Sequence, residues 1–307
     1  MRDIDILMAT YNGARYIKQQ ILSIISQTYS NWRLIIHDDG STDDTINIIK
    51  SFCDLDERII LIEDGKTFKQ PGAHFIYLLS FVESPYVCFC DQDDIWFENK
   101  LEVMLGTISS KDPFVPSVVF SDAYLYYLHN SITGTIISVR PRQLKDILFT
   151  NGGIHGSASI FNKKMSEVLL RNFEYNIMHD HILTLIACSF GNIDFIDDKL
   201  FLYRQHNNNV TGNVAPNKIT RVYKAFSGLK NKYVLSCDTI NTIKVFYNVY
   251  NEYLSHDDRQ LLDKYFKTIN LRGLKRIVSI IINGYSICNS KIHLLIKVLT
   301  RKFLDNA

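Results

Sequence analysis

The acid in this chain falls at the ends of its apolar runs, and that placement limits what it can fold into. Residues 32–37 (WRLIIH) lead straight into Asp38-Asp39-Gly40-Ser41, and residues 86–90 lead into Asp91-Gln92-Asp93-Asp94. A first apolar run, 4–9, ends at the turn signal Thr10-Tyr11-Asn12-Gly13. Helical spacing over 16–26, 42–52 and 73–82 alternates with strand patterns at 32–37, 59–63 and 86–90. Ser41, Thr42 and Asp43 offer N-cap chemistry to the second helix. Strand, helix, strand, helix predicts a parallel sheet covered on both faces. In such a sheet ligands bind at the carboxyl ends of the strands, so both acidic turns should converge on one crevice.

Beyond residue 112 the rhythm changes. Strands are expected at 118–120, 136–139, 157–161 and 200–204, and helices at 145–150, 167–171 and 182–189. After Pro216 the pattern is helical, over 223–228, 233–253, 257–267 and 274–303. Charge divides at the same place. Residues 1–216 hold 18 Lys and Arg against 26 Asp and Glu, while residues 217–307 hold 16 against 6. The chain therefore reads as an acidic α/β domain over 1–216 and a basic helical extension over 217–307. With 46% hydrophobic and 21% charged residues it is not disordered. Cysteines 53, 88, 90, 188, 237 and 288 show no CxxC spacing and suit reduced thiols in a cytosolic protein. Cys88 and Cys90 would be small hydrophobes on one strand face. The charged start, Met1-Arg2-Asp3, leaves no room for a secretory h-region. No run reaches the roughly 18 apolar residues of a spanning helix.

Three carboxylates in the four residues Asp91 to Asp94 repel one another unless a cation or solvent intervenes. Open oxygen clusters of this kind suit Mg²⁺ or Mn²⁺ when substrate phosphate completes the shell. The chain lacks both G-x-G-x-x-G after the first strand and G-x-x-x-x-G-K-[ST], which argues against a dinucleotide oxidoreductase and a P-loop NTPase. Acidic strand ends point instead to a nucleoside diphosphate held through a metal.

Ala9-Thr10-Tyr11-Asn12-Gly13, Asp38-Asp39-Gly40-Ser41 and Asp91-Gln92-Asp93-Asp94-Ile95-Trp96 together resemble the nucleotide-sugar half of family 2 glycosyltransferases with the GT-A fold. The DQDDIW form is most similar to bacterial rhamnosyltransferase-type enzymes of O-antigen and capsule synthesis. His179-Asp180-His181 and Tyr203-Arg204-Gln205-His206-Asn207-Asn208-Asn209-Val210 extend the resemblance over roughly residues 3–212, in the family's order. It implies a Rossmann-like, mixed, mostly parallel sheet flanked by helices. It places Thr10, Tyr11 and Asn12 at the nucleotide, with the Tyr11 ring near a pyrimidine base. Asp39, beside Asp38, would accept a hydrogen bond from the base N3–H, and Asp91 would face the ribose. Asp93 would hold the metal bridging both phosphates, with His206 approaching the metal or diphosphate and Arg204 adding positive charge. Asp180 matches the family's catalytic base.

A physical case supports that last role. Glycosyl transfer passes through an oxocarbenium-like transition state, and a cation can neutralise a departing diphosphate without a general acid. One carboxylate is still needed to deprotonate the acceptor hydroxyl as it attacks from the opposite face, so the anomeric centre inverts. The lesser reading of Asp180 is a helix N-cap, and the two can coexist, since a cap fixes the backbone while the side chain faces a cleft. His74 near Gly72, the loop glycines 152, 153 and 156, and Trp96 are weaker candidates for phosphate or acceptor contact. His181 and Ile182 stand where relatives often carry aromatic residues, a departure that leaves the acceptor's identity open but not the reaction.

Resemblance implies a UDP- or dTDP-hexose donor (rhamnose, glucose or galactose) and a saccharide acceptor on undecaprenyl diphosphate. Apolar residues at helical spacing in 277–282 and 294–299, flanked by Lys275, Arg276, Lys297, Arg301 and Lys302, form a polybasic amphipathic surface. Such a surface is drawn to anionic lipid, which would hold the protein peripherally on the cytoplasmic face of the bacterial inner membrane. The alternative is a helical subdomain or homodimer interface. Nucleic acid is excluded as a partner because the acidic part would repel its backbone. A sugar nucleotidyltransferase and an inactive saccharide-binding scaffold remain as rival readings of the same motifs.

Overall fold

The computed structural model describes residues 3–127, 131–136, 140–172, 177–206, 233–287 and 290–303. The first half alternates as its pattern demands: β1 (Ile4–Thr10), α1 (Ile17–Ile25), β2 (Trp32–Asp38), α2 (Thr45–Cys53), β3 (Ile59–Ile62), α3 (Pro71–Leu78) and β4 (Tyr86–Asp91). There follow β5 (Ile95–Trp96), α4 (Lys100–Ile108), β6 (Ser117–Tyr127), β7 (Ile132–Thr133), β8 (Ser159–Asn162), α5 (Lys163–Leu169), α6 (His179–Phe190) and β9 (Asn192–Gln205). The last four helices described are α7 (Cys237–Tyr250), α8 (His256–Asn270), α9 (Gly273–Ile282) and α10 (Lys291–Thr300).

The strands form one mixed sheet in the order β3-β2-β1-β4-β8-β6-β9-β5, with β7 paired to β6. Strands β3, β2, β1 and β4 run parallel, and β8 is antiparallel to both its neighbours. β6 and β9 are parallel, which makes the sheet mostly parallel. Its central strands are apolar on both faces because both are covered. On β1, Ile4, Ile6 and Met8 enter one core and Leu7 the other; on β4, Cys88 and Cys90 share a face, with Val87 and Phe89 opposite.

The basic helices extend one of those cores. Phe149 packs against Tyr265 and Tyr285, at ring distances of 5.4 and 5.0 Å, and all three are fully buried. Burial of each such ring is worth about 2 kcal/mol or more, so α8 and the α9–α10 connection are fastened to the sheet half. Buried Lys297 donates from Nζ to the Phe149 carbonyl at 2.8 Å, and Ser286 Oγ bonds Asp146 at 3.0 Å.

Some local expectations change. The single helix expected over 274–303 is two helices, because the chain turns at Asn283-Gly284, where Gly284 has φ 68°. Helix α4 was not anticipated, although Leu101, Met104 and Ile108 carry a helical spacing and are all buried. The strand expected at 200–204 is the end of the longer β9, whereas 145–150 contains only a 3-10 turn, Leu144–Asp146. The expected helix at 223–228, the strand residues 137–139 and the boundary at 216 lie outside the described residues.

Candidate active site

Parallel pairing brings the chemistry-bearing turns together. Thr10 pairs with Asp38 across β1–β2, and Ala9 pairs with Asp91 across β1–β4, so three strands end on one level. Side chains then stitch the turns. Gln92 clasps the Tyr11 backbone at both ends, Oε1 accepting from its N–H and Nε2 donating to its carbonyl, each at 3.0 Å. A Cβ on Gly13 would stand 2.1 Å from Gln92 Oε1, so a larger residue there would have to displace this clasp. Asn12, in the left-handed region at φ 46°, accepts from Thr42 N through Oδ1 and donates its own N–H to Ser41 Oγ, both at 2.8 Å.

Asp38 completes the stitching. Its carboxylate accepts from Gly40 N, Ser41 N, Ser41 Oγ and Thr10 Oγ1 at 2.6 to 3.1 Å. It organises the turn and does not line the cleft. Asp43, expected as a cap of α2, accepts from Thr45 N at 3.1 Å, while the helix begins after Asp44.

A cleft of about 970 Å³ opens over these strand ends. Thr10, Tyr11, Asn12 and Asp39 all line it, and Tyr11 remains 56% exposed. Asp91, Asp93, His206 and Asp180 line the same cleft, together with His74, His155 and His179. Asp39 is already engaged, because its two oxygens accept from the backbone N–H groups of Phe68 and Lys69. A carboxylate has room for a further donor, so these bonds tie the chain at Phe68 and Lys69 to the β2 turn without saturating Asp39.

The three acids of the β4 turn separate by environment. Asp94 is fully buried, accepts from Arg204 N at 3.2 Å, and burial pushes its carboxyl well up. It does not line the cleft. Burial, and then the charge of Asp93, raises Asp91 to about 7. Asp93 Oδ2 lies 2.6 Å from His206 Nε2, and the His206 ring stacks on Tyr16 at 5.0 Å. Arg204 sits behind this turn and does not line the cleft: Nε donates to the Asp93 carbonyl at 2.6 Å and Nη2 to Gln19 at 2.7 Å. Its charge steadies the acidic loop from the protein side.

A divalent cation fits the donor set, with one hard carboxylate and one imidazole already together at the cleft wall. Among the described residues, no group of three or more His, Cys, Asp or Glu side chains could hold a metal ion, so water and phosphate oxygens would complete the shell.

Asp180 occupies the first turn of α6, whose N-cap is Met178. Burial raises its carboxyl to about 6, which suits a proton acceptor near neutral pH. Three glycines seat this segment. A Cβ on Gly72 would stand 1.9 Å from the Ile177 carbonyl oxygen, one on Gly153 2.6 Å from the Asp180 carbonyl, and one on Gly156 2.6 Å from His179 Nε2. Phe75 and Phe89 flank the His179 ring, and burial holds that imidazole down to about 3 and His181 to about 4, so both stay neutral.

Lys100 and His37, which no motif marks, support the weaker candidates Trp96 and His74. Lys100, fully buried, donates from Nζ to the Ser157 carbonyl at 2.6 Å and lies 3.9 Å from the Trp96 ring, with burial pulling it down to about 8. It anchors the Gly156–Ala158 turn beside Asp180. Trp96 is therefore a core residue, 2% exposed. His74 Nε2 meets His37 Nδ1 at 2.7 Å, and His37 Nε2 meets Asp64 at 3.0 Å. If Asp64 accepts from His37, then His74 donates to His37 and leaves Nδ1 as its acceptor. The Lys100 position, seven residues after the acidic cluster's Asp93 and on an apolar helical face, was the only sequence signal for it.

Comparisons with known proteins identify the family and the fold. The family model for glycosyl transferase family 2 matches residues 5–170. The chain is 28% identical over 239 residues to the dTDP-rhamnosyl transferase RfbG of Shigella flexneri, covering 74% of this chain and 80% of that one. It is 28% identical over 260 residues to the Escherichia coli UDP-Glc:alpha-D-GlcNAc-diphosphoundecaprenol beta-1,3-glucosyltransferase WfaP, covering 83% and 96%. Among solved structures, S. aureus TarS 1-349 in complex with UDP-GlcNAc superposes with a TM-score of 0.58 at 15% identity, over 92% of this chain and 79% of that one. This chain spans 43% of the longer TarS chain.

Proposed function

The chain belongs to glycosyl transferase family 2, and from that premise we propose that it moves a hexose, with inversion, from a UDP- or dTDP-sugar to a lipid-linked saccharide. Its sheet has the GT-A arrangement, with helices added at the C-terminal end. The observation that carries the reading is that the Asp93–His206 pair and Asp180 line one cleft. Thr10, Tyr11, Asn12 and Asp39 would receive the nucleoside, and Asp91 the ribose. Mg²⁺ or Mn²⁺ held by Asp93 and His206 would supply positive charge to the departing diphosphate.

Transfer is then a single displacement. The acceptor oxygen forms a bond to the anomeric carbon as the bond to the β-phosphate oxygen breaks, and the nucleoside diphosphate leaves with the electron pair. Asp180 takes the acceptor proton. Its raised pKa makes it a stronger base than an exposed aspartate while leaving it ionised at neutral pH.

Rhamnose or glucose as the sugar, and undecaprenyl diphosphate as the carrier, are supported by what RfbG and WfaP are named for, whereas galactose rests on the resemblance alone. That role belongs to O-antigen or capsule synthesis at the cytoplasmic face of the inner membrane, with the protein peripheral there. No helix among the described residues is long and apolar enough to cross a membrane. Thermal-shift screening of UDP- and dTDP-sugars with Mg²⁺ or Mn²⁺, then turnover of the best binder, tests the reading. Release of UDP or dTDP is the expected result. Release of pyrophosphate from a nucleoside triphosphate, or no turnover with any donor, would overturn it.

A further inference from the structure

The last two helices are apolar on both sides. On α9, Ile280 is buried and Ile277 packs on the core, yet Leu274, Val278, Ile281 and Ile282 are exposed. On α10, Leu294 and Val298 are buried, whereas Ile292, Ile296 and Leu299 are exposed. Offsets of four, seven and eight residues on α9, and of four and seven on α10, set each exposed group along one helix face. These are not marginal exposures: Leu274 stands at 78%, Ile282 at 76% and Ile292 at 71%. Single exposed aliphatic residues are ordinary on any surface, but two helices packed together with such stripes are not. Helices apolar all round are otherwise found inside a protein or against lipid.

Charge decides what covers the face. From Lys264 to Leu304 the chain carries nine Lys and Arg and no Asp or Glu. Lys275 on α9, Lys291 on α10 and Lys302 beyond it are exposed. A second copy docking by the same face would set cation against cation across a two-fold axis. Nucleic acid would match the cations and leave the aliphatic stripes in water. An anionic bilayer matches both, taking aliphatic side chains at the acyl boundary and ammonium groups among its phosphates.

We propose that α9 and α10 form the face by which this protein docks on an anionic lipid surface. The fold connects that face to the cleft. Lys297 on α10 holds the Phe149 carbonyl, and four residues further along Gly153 packs against the Asp180 backbone. The docking face and the proposed base therefore flank one segment. Only the benefit of docking, reach to a lipid-borne acceptor, rests on the reaction proposed above; attraction to lipid does not.

Flotation of the full chain with vesicles of phosphatidylcholine alone, and of phosphatidylcholine mixed with phosphatidylglycerol, tests this. The chain should float with the anionic vesicles only, and added salt should weaken the binding. Leu274→Ser with Ile282→Ser, and separately Ile292→Ser with Leu299→Ser, should each lower partitioning by about tenfold or more. Lys275→Glu with Lys291→Glu should lower it by at least about tenfold as well. Melting temperatures and turnover with a soluble acceptor should stay at the parent values in all three. Parent-like flotation of these variants, or no flotation of the parent, would overturn the proposal. So would a parent dimer in size-exclusion chromatography that the serine variants dissolve while vesicle binding is absent. Binding that follows these side chains in a chain without turnover would uphold the face and sink the reaction.

Discussion

At the carboxyl ends of β1, β2 and β4, acid is crowded and mostly withdrawn from water; on α9 and α10, cations and aliphatic side chains stand in the open. The first region works by position. Asp38 has four donors, Asp94 is buried under Arg204, and Asp93 meets His206 at 2.6 Å. The second works by composition, since any exposed lysine or isoleucine on those helices adds a similar increment. Substitutions should therefore act sharply in the cleft and by graded steps on the helices.

The largest effect that could break this contrast is at Asp93. Asp93→Asn should cut turnover by about a thousandfold and lower metal-dependent donor affinity by at least about tenfold in calorimetry. A loss no greater than that from one lysine on α9 would erase the distinction. A smaller effect sharpens it at a residue with no functional group. Gly72→Ala forces a Cβ to within 1.9 Å of the Ile177 carbonyl oxygen, three residues before Asp180. Because a misplacement of about 1 Å can cost a hundredfold, kcat should fall by about ten- to a hundredfold while donor KM barely moves. A melting curve separates this from unfolding.

The smallest effects concern protons. Asp180, raised to about 6 from an ordinary 3.8, must be ionised to act as a base. The rate should therefore rise with pH and level off above about 6, falling about tenfold per unit below it. Stability runs the other way. The folded state holds this proton more tightly than the unfolded chain, so the contribution is complete below 3.8 and lost as pH rises through about 6. Asp180→Asn should then be about 3 kcal/mol more stable than the parent at neutral pH without ligands, and equal to it near pH 3, in urea melts.

Much of this was legible because strand ends in a parallel sheet share a level, so apolar runs closed by acid announce a common crevice. The sequence could not say which acid faces it. Asp93 and Asp94 are neighbours, but the chain turns Asp94 inward to Arg204 N and leaves Asp93 on the wall. Pairings across long separations were equally hidden: Gln92 clasps Tyr11 across 81 residues, and Lys100 reaches the Ser157 carbonyl across 57. A lysine on an amphipathic helix ordinarily points to water, so nothing in the sequence marks Lys100 as buried. The break at Asn283-Gly284 carried a visible C-cap signal, masked by apolar spacing that continued past it.

The central claim is that Asp180 takes a proton across the cleft from the groups that hold the donor. The most direct test measures donor binding by calorimetry and transfer by single turnover in the same Asp180→Asn preparation. The account predicts donor affinity within about twofold of the parent and transfer lowered by about a hundred- to ten-thousandfold. Transfer within tenfold of the parent, with the donor bound normally, would contradict it.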